Sequence, residues 1–166
     1  SSDVCSSDLH FTYLADSKAD VKVVLGDARL RLAAEDDAHF DVLVLDAFSS
    51  DAIPIHLLTR EAVDLYLRHM KQDGILAVHI TNRYLDLRPV IRGIMEQTGL
   101  FAVLIDQESD QDDFTSWYSR WVLLSREWPS LAAKEVLQPG VRLTFDGGRR
   151  VLWTDAHSDL WSVRRQ

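Results

Sequence analysis

The sequence predicts an α/β protein built on a mostly parallel sheet. Residues 41–45 and 75–80 are short runs that are apolar almost throughout, which is typical of strands covered on both faces. Between these runs, and again after the second, apolar residues recur at helical spacing. The alternation of strands with helices indicates a doubly wound sheet whose parallel strands are joined by crossover helices.

The amino-terminal elements follow from local composition. Residues 21–25 are rich in β-branched side chains and predict a strand, which ends at the turn Gly26-Asp27-Ala28. A short helix is predicted over 29–35. The strand over 41–45 ends on Asp46, and a small, polar loop then leads to Pro54.

A helix predicted from a cap at Thr59 to about Lys71 comes next, with Gly74 just past its end. Its apolar stripe has the spacing i, i+3, i+4 and i+7 and consists of Val63, Tyr66, Leu67 and Met70. The strand over 75–80 contains His79, which we interpret as a core histidine, with a catalytic base as the alternative. The polar run 81–84 follows at the sheet edge where Asp46 is expected, so its side chains are candidates for lining a substrate site.

The remaining pattern predicts one more helix and two strands. Apolar residues from Leu87 to Met95 form a second helical stripe, with Pro89 near its start and Gly99 after its end. Residues 101–105 predict a strand, and residues 121–125 predict an antiparallel strand at the edge of the sheet. Five acids within 106–113 indicate a solvated loop or, alternatively, a rim that attracts cations.

Asp46 is the main candidate for chemistry. Ligands of open α/β sheets bind outside the carboxyl ends of the strands, and Asp46 stands at such an end. The alternative is that its carboxylate only caps the turn that follows the strand.

Bulk composition excludes several classes of protein. The chain has 166 residues, 46% of them hydrophobic and 27% charged, and a formal net charge of −8. An acidic chain disfavours a nucleic-acid partner and suits a cationic ligand. One cysteine excludes an internal disulfide, and the six histidines show no metal-binding spacing, so no metal is expected.

The stretch 46–59 resembles the active-site loop of the spermidine synthase family of polyamine aminopropyltransferases. In that family an Asp ends the strand and opens a loop of the form Asp-Ser-Ser/Thr-Asp-Pro-x-Gly-Pro-Ala. The spacing from Asp46 to the Leu57-Leu58-Thr59 helix start matches without a gap. The resemblance extends over about 21–160 and is nearest to the spermidine-synthase-like domains that are joined to membrane segments in bacteria.

This resemblance implies the carboxyl-terminal part of a Rossmann-like sheet of the S-adenosylmethionine-methyltransferase type. It implies aminopropyl transfer from decarboxylated S-adenosylmethionine to a di- or polyamine, with Asp46 as the catalytic residue. It also implies cofactor contacts, with Asp27 against the adenine amino group, and substrate contacts. The cofactor set is Gly26, Asp27, Ala28, Asp46, Ala47, Pro54 and Leu57, and the substrate set is Ser49, Asp51 and Tyr118.

The chain departs from the family pattern at three places, which keeps other functions open. Ser49 stands where the family has its second Asp, and Ala52-Ile53-Pro54 replaces Gly-Pro-Ala. Residues 153–158 resemble a Thr-Asp-Asp-Tyr-Ser ending, but Ala156 and His157 replace its second Asp and its Tyr. The alternatives are an S-adenosylmethionine-dependent methyltransferase, or a non-catalytic nucleotide- or polyamine-sensing domain of a membrane protein.

Residues 1–9 resemble a translated sequencing adapter, and we expect them to be foreign to the domain. Residues 10–166 are then expected to be a partial domain that lacks its first strands and half of its cofactor cradle, and to be inactive alone. The natural upstream region is expected to be a covalently linked membrane domain or a soluble domain, with a cytoplasmic location in either case. A homodimer is left open.

Deletion of residues 1–9 should leave the melting temperature unchanged, because a foreign leader makes no packing contacts with the domain. Thermal unfolding of the full and shortened chains tests this expectation. A decrease of several degrees on deletion would show that the leader packs against the fold.

Overall fold

The computed structural model describes residues 12–14, 16–47, 54–107, 119–132, 141–142 and 148–165. The elements in chain order are α1 (Ala28–Ala33), β1 (Phe40–Leu45), α2 (Arg60–Arg68), β2 (Met70–His79), α3 (Arg88–Thr98), β3 (Phe101–Gln107), β4 (Ser119–Ser125), α4 (Trp128–Leu131) and β5 (Val141–Arg142). Two short 3₁₀-helices cover Ile55–Leu57 and Trp161–Val163.

The strands form one mixed sheet in the order β1-β2-β4-β3-β5. β1 pairs with β2 in parallel, whereas β4 is antiparallel to both of its neighbours, β2 and β3. β1, β2 and β3 therefore run in one direction, which confirms the predicted α/β class. β4 is antiparallel as predicted, but the prediction of an edge position was wrong, because β4 is inserted between β2 and β3.

One face of the sheet forms the main core. Side chains alternate between the faces of a strand, and Leu76 and Val78 of β2, followed by Ile80 just after the strand, belong to this core. α2 and α3 pack over it with Val63, Tyr66, Val90, Ile91 and Ile94. On the opposite face Val42 and Val44 of β1 are each 54% exposed. Among the described residues, the face of β1 opposite the main core is therefore largely exposed.

α2 begins where the sequence predicted but ends earlier. Thr59 caps it by accepting a hydrogen bond from the backbone N–H of Ala62, at 3.3 Å. The helix stops at Arg68 because β2 already starts at Met70. Gly74 therefore lies inside a strand and not after a helix, and a Cβ atom there would come within 3.0 Å of the Phe40 carbonyl oxygen. The close approach of β1, not a helix cap, accounts for glycine at this position.

α3 agrees with its predicted start and stop signals. Pro89 lies in its first turn, where its missing N–H costs nothing. Gly99 ends it in the left-handed conformation, with φ of +70°, and its N–H bonds the Met95 carbonyl. The helix is thereby bounded by two residues at which local sequence decides the geometry.

The predicted strand over 21–25 does not form. This segment has no regular structure, and Val23 and Leu25 are 66% and 79% exposed. A strand needs a neighbour to bond its backbone groups, and none of the strands in the described ranges lies beside this segment. A β-branched composition is insufficient without that partner.

The carboxyl-terminal segment is bound to the helices by Asp155. Its carboxylate accepts two bonds from the Arg29 guanidinium, at 2.7 and 2.5 Å, and one from the Thr59 hydroxyl at 2.8 Å. The preceding Trp153 is fully buried, and its carbonyl accepts from the Arg60 N–H. The Arg29 bonds, followed by the Thr59 bond, lower the pKa of Asp155 to about 2. We call this group of Arg29, Thr59 and Asp155 the clasp.

Asp155→Asn should lower the free energy of unfolding by about 0.5–1 kcal/mol at neutral pH, since the Asp155 side chain is half exposed and its ion pair is screened by solvent. The folded-state pKa lies below the ordinary 3.8, so this stabilisation is complete above about pH 4 and is lost as pH falls towards about 2. Urea unfolding of both proteins at neutral pH and near pH 3 tests the sign.

Glu35→Gln is the matched control, because its pair with Lys22 is long, at 3.5 Å, and exposed. It should change stability little at either pH. A difference between wild type and Asp155→Asn that does not shrink on acidification would mean that the clasp acts through shape alone.

Val44→Lys should reduce concentration-dependent self-association of the chain. Within the described residues β1 pairs only with β2, and a strand edge that is open and apolar is a template for pairing with another molecule. Sedimentation velocity over a range of protein concentrations measures the effect. Val23→Lys is the control, because Val23 is also exposed, at 66% against 54% for Val44, but lies outside the sheet. Equal association of both variants would exclude β1 as the contact.

Candidate active site

The parallel pairing of β1 with β2 brings Asp46 and His79 together. Leu45 lies opposite Val78 in the register, so the next residue of each strand emerges at the same edge of the sheet. Nδ1 of His79 lies 2.8 Å from Oδ1 of Asp46. The Asp46 side chain is 55% exposed and the His79 side chain 21% exposed, so the pair opens to solvent.

The second ring nitrogen of His79 is also bonded. Nε2 lies 2.6 Å from Oγ1 of Thr81, and the backbone N–H of Arg120 donates to that same oxygen at 2.7 Å. The ring stacks on Trp121 of β4, with centroids 4.6 Å apart and planes 10° apart. His79 is therefore held at both nitrogens and on one ring face.

The sequence interpretation of His79 as a core residue was wrong about its surroundings. The side chain contacts the candidate catalytic carboxylate and is not enclosed in the core. In the structure His79 is the last residue of β2, at the edge where ligands of parallel sheets bind, whereas the sequence predicted that this strand continues to Ile80. What the sequence could not supply was the register that aligns it with Asp46.

An apolar wall adjoins this pair. The wall consists of Leu45, Ala47, Pro54, Leu57, Leu58 and Val78, and together with His79 it lines a small pocket of about 20 Å³. The structure thus brings together three residues that were predicted as cofactor contacts, namely Ala47, Pro54 and Leu57. The volume suits about one water molecule, so a nucleoside would have to lie across the mouth of this pocket.

The position of Leu57 is set by a buried tyrosine. The Tyr66 hydroxyl of α2 donates to the Leu57 carbonyl at 3.1 Å, and burial raises the pKa of this phenol above its ordinary value. The phenol stays neutral and keeps its donor. The 3₁₀-helix Ile55–Leu57 is therefore anchored to α2 from below.

Asp27 has the geometry of a helix cap. Its Oδ1 accepts from the Leu30 N–H at 2.9 Å, and its Oδ2 lies 3.0 Å from Nε2 of His56. The Leu30 N–H, opposed in part by desolvation and supported by His56, holds the pKa of Asp27 below its usual value. Both carboxylate oxygens are thus engaged, and an adenine amino group would have to share or replace the His56 contact.

Gly26 and Ala28 flank this cap. Gly26 has a φ of +133°, a backbone conformation that residues with a side chain rarely adopt. A Cβ atom at this position would lie 2.8 Å from Nε of Arg31. Ala28 is the first residue of α1. The geometry of the whole turn is accounted for by its own local bonds, so cofactor binding by Gly26, Asp27 and Ala28 stays a prediction.

Of the acidic run 106–113, only the beginning lies among the described residues, and its first acid is in an ion pair. Asp106 at the end of β3 accepts from Arg120 at 2.7 Å. β-strand alternation places this ion pair on the face opposite to His79 and Trp121. Residues 108–113 of the run lie outside the described residues, as do the predicted substrate contacts Ser49, Asp51 and Tyr118.

The polar run 81–84 after β2 has two different roles. Thr81 bonds to His79, whereas the Oδ1 of Asn82 accepts from the N–H groups of Tyr84 and Leu85 and shapes the turn. In the part of the chain that the structure describes, no cluster of three or more potential ligand side chains suits a metal ion. Over the same part, no helix has the length and apolar character needed to cross a membrane.

No family model and no curated protein matches this chain. Among solved structures it is similar to MNMC2 from Aquifex aeolicus, with a TM-score of 0.45 and 21% identity over 64% of this chain and 30% of that chain. It is also similar to a probable spermidine synthase from Corynebacterium glutamicum, with a TM-score of 0.46 and 23% identity over 63% of this chain and 37% of that chain.

The chain therefore spans about a third of the length of these two proteins. Its sheet, with β1, β2 and β3 running in one direction and an antiparallel β4 inserted between β2 and β3, is a mixed α/β sheet. The methyltransferase type of this sheet stays a prediction.

Proposed function

We propose that the protein containing this chain transfers an aminopropyl group from decarboxylated S-adenosylmethionine to a di- or polyamine. The observation that carries the proposal is the Asp46 carboxylate: half exposed, beyond the carboxyl end of β1, and bonded through one oxygen to His79. Among the described residues, its Oδ2 has no hydrogen-bond partner. A carboxylate oxygen that no described residue bonds, at the edge of the sheet where ligands bind, can accept a hydrogen bond from an ammonium group.

The chemistry requires such a group. Alkyl amines have pKa values near that of lysine, roughly 10, so the acceptor arrives as an ammonium ion and cannot attack. Asp46 binds the ammonium, accepts one proton and orients the freed amine towards the carbon next to the sulfonium. The new N–C bond forms as the C–S bond breaks, and neutral methylthioadenosine leaves. The sulfonium sulfur takes the electron pair of the broken C–S bond and becomes a neutral thioether, so the transfer uses no redox partner.

The surroundings of Asp46 suit both reactants. The apolar wall of Ala47, Pro54 and Leu57 presents hydrocarbon beside the carboxylate, where the uncharged part of a thionucleoside can pack. The formal net charge of −8 favours the approach of a polyamine over that of an anion. The proposal needs two small molecules, the amine and decarboxylated S-adenosylmethionine, and no metal. A linked membrane region upstream of a cytoplasmic domain, and a homodimer, are further proposals that it does not need.

A second candidate is favoured by Ser49, which occupies the place of the second acid in the family loop. The loop thus keeps the first acid of the family pattern, Asp46, and lacks the second. Such a site suits an S-adenosylmethionine-dependent methyltransferase, or a domain that senses a nucleotide or polyamine without reaction. The products separate these candidates. Methylthioadenosine identifies aminopropyl transfer, S-adenosylhomocysteine identifies methyl transfer, and binding without product identifies a sensor.

Asp46→Asn should lower the rate of aminopropyl transfer by roughly 10²–10⁴-fold, the usual contribution of a positioned acid–base group. The substitution keeps the size of the side chain and removes the charge and the proton acceptor. Nucleoside affinity should fall much less, because the apolar wall stays in place. Steady-state kinetics of the full-length protein, together with calorimetric titration of methylthioadenosine, measure the two effects.

Two aspartates serve as controls. Asp51→Asn lies in the same loop and should cost less, whereas Asp41→Asn at the amino end of β1 removes only an exposed pair with Lys71 and should leave the rate unchanged. Equal losses at Asp46 and Asp51 would mean that the loop only attracts a cation. An unchanged rate in Asp46→Asn would reduce Asp46 to a turn residue and remove the basis of the proposal.

A further inference from the structure

We propose that His79 is a positioning residue that fixes the Asp46 carboxylate for its reaction. His79 would do so as a neutral ring of one defined tautomer, with the proton on Nδ1. The inference rests on the proposed function for its kinetic consequence. The tautomer itself is a property of the chain that is independent of any reaction.

The direction of the hydrogen bonds follows from the backbone. The Arg120 N–H can only donate, so Oγ1 of Thr81 accepts from it, at 2.7 Å. The Thr81 hydroxyl then donates its own proton, and Nε2 of His79 at 2.6 Å is a much closer acceptor than the Arg120 carbonyl at 3.5 Å. Nε2 is therefore an acceptor, and the ring proton lies on Nδ1, which donates to Oδ1 of Asp46 at 2.8 Å.

The same chain of bonds argues against His79 as the base itself. A second proton would have to enter at Nε2, which the Thr81 hydroxyl already occupies. Charging the ring would force that hydroxyl to turn to the distant Arg120 carbonyl. Asp46 is thus the group that exchanges protons with the ligand, through Oδ2, while Nδ1–H of His79 holds Oδ1.

The ring is well placed to orient another group, because three strands restrain it. β2 carries it, the Trp121 ring of β4 stacks on it, and Asp46 follows β1. The pair Arg120–Asp106 lies on the other face of the sheet, by strand alternation. A half-exposed carboxylate gains little stability from one bond, since water can replace it, so the main consequence of the contact is orientation.

Two amide variants separate the two ring nitrogens. In His79→Asn the amide N–H₂ falls near the position of Nδ1 and can still donate to Asp46, while the bond to Thr81 is lost. In His79→Gln the longer side chain reaches Thr81 and leaves Asp46 unbound. His157→Gln, in the carboxyl-terminal turn that His157 closes through backbone bonds to Thr154, controls for the loss of a histidine.

In the full-length protein, His79→Gln should lower kcat for aminopropyl transfer by about 10–100-fold, the effect of a misplaced reacting group. KM for the nucleoside should change little. His79→Asn should recover most of the rate, and His157→Gln should match wild type. If His79→Asn and His79→Gln lower the melting temperature alike and leave kcat unchanged, His79 is only a structural histidine and the proposal is overturned.

Ring-nitrogen NMR of the present chain gives a readout that needs no activity. At a pH well above the ordinary histidine value of roughly 6.5, His79 should show the Nδ1–H tautomer, and Thr81→Val should mix the tautomers. An Nε2–H tautomer in wild type overturns the positioning role whatever the kinetics. The expected tautomer in a protein that makes no methylthioadenosine would instead support the positioning role and contradict the proposed function.

Discussion

The parallel pairing of β1 with β2 is the constraint on which the candidate site depends. Because Leu45 faces Val78, Asp46 and His79 emerge side by side. A slip of one residue would turn every side chain of β1 to the other face of the sheet and separate the pair. The core face of the two strands, with Leu43, Leu45, Leu76 and Val78 against α2 and α3, resists such a slip. The apolar core therefore sets the geometry of the polar edge.

β4 adds a second level of support from the other side. Its antiparallel position between β2 and β3 places Trp121 opposite His79 and brings the Arg120 N–H to Thr81. A backbone N–H has no alternative role, so it determines the direction of the bonds that end at Asp46. The carboxylate that we propose to bind a cation is thus oriented by backbone geometry and not by an additional charged side chain.

The clasp extends this support to the loop side of the site. Asp155 joins Thr59, the cap of α2, to Arg29 of α1, and Arg29 also donates to the His56 carbonyl. The short helix Ile55–Leu57 is held between this contact and the hydroxyl of Tyr66. Residues about a hundred positions apart in sequence therefore fix the wall next to Asp46. The segment 153–158 has a structural role here even though its resemblance to the family ending is incomplete.

The sequence alone determined the elements that local patterns specify. The strand over 41–45, the cap at Thr59, and the boundaries of α3 at Pro89 and Gly99 all follow from composition, helical spacing and the chemistry of single residues. Asp46 was identifiable as a candidate because it ends an apolar run. In each case the free energy that decides the structure comes from residues a few positions apart.

Only the tertiary structure decided the features that depend on distant partners. Residues 21–25 have strand composition, but no described strand lies beside them to bond their backbone groups. Glycine is required at position 74 because the backbone of β1 approaches closely there. β4 lies inside the sheet and not at its edge. His79 carried no local mark that distinguished a core residue from a site residue. Its contact with Asp46 arises from the register of two strands more than thirty residues apart, and pairing energy of that kind is a property of the sheet that no single segment contains.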